Sequence, residues 1–287
     1  MATIDPANGS DSDIEEGLRS VKSVLGDALD ALRVERRRTV DEREAFEAFR
    51  SRVRRIAAEA TPTAGAGGDV SAATAARADT SRLRGVAGST GPGLVAVRNA
   101  YAETVMSVPH YEEEYNDTYE RSLAEEFSPE LAVALTREPT LHERYRSSLL
   151  TKTTEAIDRR EDLLGIVESE SASVSRAREN LSSIAEEVAT LSRRGFETER
   201  FGALDAYRAR LNVLAEKCDE VAARRQRERI DGERWANVGE VASDVRTYLY
   251  QDLSVTYPVL AAVAAVGRRV ESVRLDVERA MIYAESS

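Results

Sequence analysis

The stretch Leu18–Ile56, LRSVKSVLGDALDALRVERRRTVDEREAFEAFRSRVRRI, decides the fold. Its apolar residues recur in alternating steps of three and four: Leu18, Val21, Leu25, Ala28, Leu32, then Phe46, Phe49, Val53 and Ile56, with Ala60 beyond. Such spacing lays a single apolar seam along an α-helix. The same register places Glu35, Thr39 and Glu42 on the seam at its centre, where a polar contact fixes register or bends the helix. Ser12 and Glu15 are spaced as a capping box, which predicts a helix over 14–60 and leaves 1–13 as a disordered acidic tail. At roughly 1.5 Å per residue that helix is about 70 Å long if straight.

The stretch is also dense in arginine, in a chain whose formal net charge is -11. The heptad register assigns that charge. Arg36, Arg38, Arg43, Arg50 and Arg52 take positions flanking the seam, where charges pair with a neighbouring helix, while Arg33, Arg37, Arg54 and Arg55 face outward. The acid-rich segment 155–194 is the natural partner. A nucleic-acid grip needs basic surface uncompensated by acid, and its affinity collapses with salt, so nucleic acid is an unlikely partner on this reading.

Outward from this helix the chain changes texture twice. Residues 61–92 are rich in Gly, Ala, Ser and Thr and read as a flexible linker. Residues 93–139 hold Pro109, Pro129 and Pro139 and predict short helices in a small head, with Ser128 capping the helix that Pro129 opens. Long helix then resumes over 140–195, where Thr140 and Glu143 form a second capping box and Ile157, Leu164, Val167, Val174, Leu181, Val188 and Leu191 form a looser seam, interrupted at Ser171 and Arg178. Gly195 stops it. A returning helix over 203–252 has a cleaner seam, Leu204, Tyr207, Leu211, Leu214, Cys218 and Val221, followed by Arg225, and either continues or kinks near Gly232 before Trp235, Val238, Val241, Val245 and Tyr248. A last helix over 258–284 opens at Pro258 and turns Val259, Val263, Val266, Val270, Val273 and Val277 to one side.

The totals agree with long helices. Only 6% of the 287 residues are aromatic and 32% are charged, sparse material for a large globular core. No stretch alternates apolar and polar residues between turn signals, so the expected class is all-α: an elongated antiparallel helical bundle or coiled coil with a small helical head. Cys218 is the one cysteine, which excludes a disulfide framework and a cysteine-based zinc cluster. The acidic start lacks a signal-peptide pattern, and the longest apolar run, YPVLAAVAAVG at 257–267, is too short to span a bilayer. The expected location is cytoplasmic. Arginine almost wholly replaces lysine, which survives only as Lys22, Lys152 and Lys217, and with the acid excess this suggests a salt-adapted, GC-rich source.

The search for chemistry is mostly negative. GAGGDV and GVAGSTGPG lack the Lys of a phosphate loop, and neither His110 nor His142 follows a glutamate by three, as di-iron bundles require. Two candidate sites remain, both in the head. His110, Glu113, Glu114 and Asp117 share one face if the segment is helical, and such donors suit a hard or borderline metal. The bland alternative is a helix N-terminus where acids favour the dipole. Tyr111, Tyr115 and Tyr119 fall on one helical stripe, either a packing surface or a ligand face. With two histidines and a seam-buried thiol, no catalytic residues and no cofactor are assigned, and an enzyme is not expected.

The segments AYAETVMSVPHYEEEY (Ala100–Tyr115), AEEFSPELAVAL (Ala124–Leu135) and YLYQDLSVTYPVLAAVA (Tyr248–Ala264) resemble an uncharacterised family of haloarchaeal proteins carrying a domain of unknown function. The resemblance implies a cytoplasmic, salt-adapted, largely helical protein and carries over no catalytic residues. The leading expectation is a non-enzymatic coiled-coil interaction or scaffold protein, binding a protein partner or a second copy of itself. The alternatives are a sensor whose head takes a small ligand or metal, and a nucleic-acid-associated protein acting through the arginine-rich helix.

Overall fold

The structure is a computed structural model that describes residues 7–59, 91–236 and 245–285; the side chains of 7–20, 22, 229–236 and 285 also lie outside the described residues. Among the described residues it is all-α, with no strand. Helix α1 is Ala7–Arg55, α2 Pro92–Ala102, α3 Tyr111–Glu114, α4 Tyr119–Glu126, α5 Pro129–Arg137, α6 Glu143–Ser192, α7 Phe201–Ala236, α8 Val245–Leu249 and α9 Pro258–Glu285, with a 3-10 turn at Val105–Ser107. The expected linker 61–92 falls outside the described residues except for Gly91 and Pro92, and so do Val238 and Val241 and the side chains of Leu18 and Trp235.

The chain divides into two units, residues 1–35 with 166–287, and residues 36–165. The division falls within α1 and within α6. In the first unit the α1 seam residues Val21, Leu25, Ala28 and Leu32 are buried, as are Leu204, Leu211, Leu214 and Cys218 of α7, while Tyr207 and Val221 are half-buried. Helices α6 and α7 run antiparallel, since Glu187 meets Arg210 and, further along, Glu170 meets Arg225. Gly195 makes the turn with φ +70°, a left-handed conformation that a Cβ resists. Helix α7 packs on α9, whose buried face holds Val259, Val266, Val270, Val273 and Val277 but takes Ala262 in place of the expected Val263. Leu249 and Tyr250 close this core beside the one-turn helix α8.

In the second unit one core joins Phe46, Phe49 and Val53 of α1 to Leu94, Val97 and Tyr101 of α2, Leu123, Phe127 and Leu131 from α4 and α5, and Leu149 and Ile157 of α6. The expected head at 93–139 is therefore not a core of its own. Its short helices are too small to bury their apolar faces alone and share a core with the ends of two long helices. Phe49 meets Tyr101 edge-on at 5.1 Å and lies 6.3 Å from Phe127. Ser128 and Thr118 cap α5 and α4 by accepting from Leu131 N and Arg121 N.

Several expected boundaries move. Helix α1 begins at Ala7, inside the expected tail, because Ser12 and Asp13 weaken a helix without stopping it. It ends at Arg55, so Ile56 leaves the helix and is half-buried. The cause is Arg146, whose guanidinium donates to Ile56 O at 2.9 Å and Arg54 O at 3.0 Å, covering the carbonyl end of α1 with a cation. Helix α6 starts at Glu143 rather than at the Thr140 capping box. Leu141 is fully buried and its carbonyl accepts from Glu59 N at 2.9 Å, which commits that backbone to a bond with a distant part of the same chain. Beside it Gly91 N donates to Pro139 O at 2.7 Å, and a Cβ on Gly91 would lie 2.7 Å from the same oxygen. Glycine is required there. Of the expected returning helix, α7 covers Phe201–Ala236 and α8 Val245–Leu249, and residues 237–244 between them lie outside the described residues.

Candidate functional site

Each unit holds one cluster built from a glutamate, an arginine and a tyrosine, buried around Glu170 and part-buried around Glu42, where Tyr115 is exposed. In the unit of residues 36–165 the glutamate is Glu42, one of the polar seam positions of α1. Arg160 of α6 donates to Glu42 Oε2 at 3.1 Å and holds Glu126 through both terminal nitrogens, and its guanidinium lies 4.6 Å from the centre of the Phe46 ring. Arg159 reaches Glu126 at 2.6 Å. The second oxygen of Glu42 accepts from His110 Nε2 at 3.0 Å and from the Tyr115 hydroxyl at 2.9 Å. Burial opposes charge on Glu42, but the Arg160 guanidinium and the hydrogen bonds from His110, Tyr115 and Arg160 outweigh it and hold the carboxyl below its usual range. Burial and the neighbouring Glu42 push the Tyr115 phenol up.

The unit that contains α7 repeats the arrangement on Glu170, which is 5% exposed. Arg225 grips both of its oxygens, Tyr250 donates to Oε1 at 2.6 Å, and Arg246 donates to Oε2 at 3.2 Å. Four donors therefore fill the roughly four acceptor positions of one carboxylate. Arg225 also donates to Ser173 Oγ at 3.0 Å, and that hydroxyl donates to Glu228. Burial again opposes ionisation, and Arg225, Tyr250 and Arg246 again overcome it, leaving Glu170 with a lowered pKa. A carboxylate so held is a poor proton acceptor, because protonation requires breaking charge-assisted bonds.

The expected metal face does not form as a face. Asn116, with φ 43°, ends α3 after one turn, so His110, Glu113, Glu114 and Asp117 share no helix. Glu113 is exposed, and Asp117 pairs with Arg121 at 3.1 Å. His110 and Glu114 do converge, on a partner from another helix: their ligand atoms and one of Glu42 lie within 4.8 Å of one another. Arg38 pairs with Glu114. Three carboxylates, Glu42, Glu114 and Glu126, thus meet three guanidinium groups, Arg38, Arg159 and Arg160.

The tyrosine stripe is also split. Tyr111 belongs to α3, Tyr115 follows it, and Tyr119 opens α4. Tyr115 joins the Glu42 cluster; Tyr119 packs edge-on against Tyr101 at 5.7 Å with Arg98 over its other side. The hydroxyls of Tyr111 and Tyr119 are buried with no hydrogen-bond partner.

Two of the flanking arginines of α1 pair where the sequence did not direct them. Arg38 meets Glu114 and Arg52 meets Glu103 at 2.6 Å, acids of the short-helix segment rather than of 155–194. Arg33, Arg37, Arg54 and Arg55 are exposed as expected. Sequence reading missed Arg160 and Glu170 altogether. Their signal was present: Ala156, Arg160, Val167, Glu170, Val174, Ala177, Leu181, Ile184 and Val188 keep a three-four spacing once Leu163 is included, and two charges stand in it.

The fold and these clusters define a class: an all-α protein whose long helices are clamped by buried and part-buried arginine–carboxylate–tyrosine contacts. The chain belongs to the family described as Domain of unknown function (DUF7260), whose model matches residues 23–274 and so takes in both clusters. No curated protein and no solved structure matches it. Among the described residues no helix is long and apolar enough to cross a membrane.

Proposed function

We propose that the chain is a non-enzymatic helical interaction module of a salt-adapted protein, in which buried clamps fix helix register so that the outer faces offer a constant surface to a protein partner. The observation that carries this reading is the saturated Glu170: donors from α7, α8 and Tyr250 spend its hydrogen-bonding capacity on holding helices together. Outward arginines on α1, Arg37, Arg54 and Arg55, are exposed in a chain of net charge -11 and suit an acidic patch on the partner. Affinity capture in molar KCl, with wild type run beside R37E/R54E/R55E, tests it. A partner retained by wild type and lost from the variant is the expected result; identical protein sets from both would remove the reading.

A second reading, a divalent cation held by Glu42, His110 and Glu114, is favoured by the approach of their ligand atoms. The arginines that already balance those carboxylates weigh against it. It requires zinc to raise the melting temperature and EDTA to reverse the rise. An unmoved melting curve ends it.

A further inference from the structure

Between α6 and α7 the seam opens to one side. Helix α6 carries Ser173, Ala177, Asn180 and Ser183 there, short side chains that do not fill the space to α7. The result is a groove of about 280 Å³. Ligand pockets for small molecules begin at about that size, so the groove takes a small molecule rather than a folded segment.

Its lining has two textures. The floor is apolar: Ala177, Ile184 and Val221, with Val259 from α9. The rim is cationic, with Arg176 on α6 and Lys217 and Arg224 on α7. Arg225 and Ser173 close one end and are committed to each other and to Glu170. Arg176 is bound to Glu228 at 3.3 Å and remains half-exposed. Lys217 and Arg224 close no ion pair among the described residues, and the one rim acid without a fixed partner is Glu220. Two turns of helix separate Lys217 from Arg224, a gap of about 10 Å along the axis that two long side chains span from either side. One anionic group seated between them meets both.

We propose that this groove binds a small organic anion, its apolar body on Ala177, Ile184 and Val221 and its oxyanion head between Lys217 and Arg224. Partial enclosure strengthens such contacts relative to open solvent, because the low-dielectric walls limit screening. Arg176 gives the head a third donor when it exchanges Glu228 for the ligand. This assignment is independent of the partner surface on α1.

The probe is 8-anilinonaphthalene-1-sulfonate, which joins an aromatic body to a sulfonate, titrated into the full chain at constant KCl with fluorescence as the readout. Binding is expected to saturate, and K217E/R224E is expected to weaken it by about tenfold. The control R33E/R194E reverses two exposed charges outside the groove and leaves the titration unchanged. Both rim residues are exposed, so the variant keeps the wild-type circular dichroism melt. The uncharged analogue N-phenyl-1-naphthylamine is expected to bind at least about tenfold more weakly than the sulfonate. Failure of the sulfonate probe to saturate, equal affinity in K217E/R224E, or equal affinity for the uncharged analogue each overturns the proposal.

Discussion

Glu170 shows what a buried charge requires of its neighbours. With Arg225, Arg246 and Tyr250 in place the carboxylate is satisfied; with Arg225 gone two of its four hydrogen bonds vanish while burial remains. Arg225→Ala is therefore expected to cost about 3–5 kcal/mol, and Arg160→Ala a similar amount by stranding Glu42 and Glu126, measured by chemical denaturation. A loss within about 0.5 kcal/mol would mean that water replaces the guanidinium. The same residues set a pH dependence. Glu42 and Glu170 are held below the range of an unfolded glutamate, so the unfolded chain binds protons first as the solution is acidified. Their stabilisation is complete above the unfolded value of about 4.3 and is lost as pH falls below it through the folded values. E42Q/E170Q should flatten that limb of the stability profile; an unchanged slope below pH ~4.3 would assign acid sensitivity to other carboxylates. Cys218 offers a gentler probe. Burial, with Asp219 adding to it, pushes its thiol up to about 11, so alkylation at pH ~8 should wait for the seam to open. Labelling of the folded protein as fast as of the unfolded chain would contradict the packing.

At the scale of single helices, much of the fold is legible in the sequence because a three-four apolar repeat has one physical solution. Leu211, fully buried on α7, stands where the seam predicts it, and Leu211→Asp should destabilise the protein by more than about 3 kcal/mol. An unaltered melting curve would refute the register. Glu42 and Arg225 were visible as polar seam positions, but their partners were not, since nothing local in a sequence pairs residue 42 with residue 160. The short helices were the least legible. Tyr111, Tyr115 and Tyr119 keep helical spacing through Asn116, yet a single left-handed residue ends the helix between them. Helix ends fixed by distant groups, such as the Arg146 guanidinium on Ile56 O, escape any local rule. The α6–α7 turn is local and was legible: Gly195→Ala, at φ +70°, should cost about 1–2 kcal/mol by thermal melting. No change would show that the turn adopts another conformation without penalty.

For the whole molecule the governing quantity is the charge of -11. Surface repulsion of that sign destabilises a folded chain in dilute buffer and is screened within about 10 Å at 0.1 M salt and about 3 Å at 1 M. The buried clamps are screened far less. Raising KCl from about 0.1 to 1 M should therefore raise the melting temperature of wild type. A falling melting temperature would mean that exposed pairs such as Arg121 with Glu125 matter more than net repulsion.

The backbone bonds of Glu59 to Leu141 and of Gly91 to Pro139 have one more consequence. Glu59 also accepts from Gly93 N at 3.1 Å, so the two chain positions that flank residues 60–90 are moored to the same strip of backbone and to each other. Their spacing is set by that mooring. Residues 60–90 read in the sequence as a linker, so replacing them with a Gly-Ser bridge about fourfold shorter should leave the fold intact and add about 1.2 kcal/mol through the smaller entropy of closure, measured by chemical denaturation. That makes the position a natural graft point, where a tag, a reporter or a whole foreign domain can be spliced into the chain.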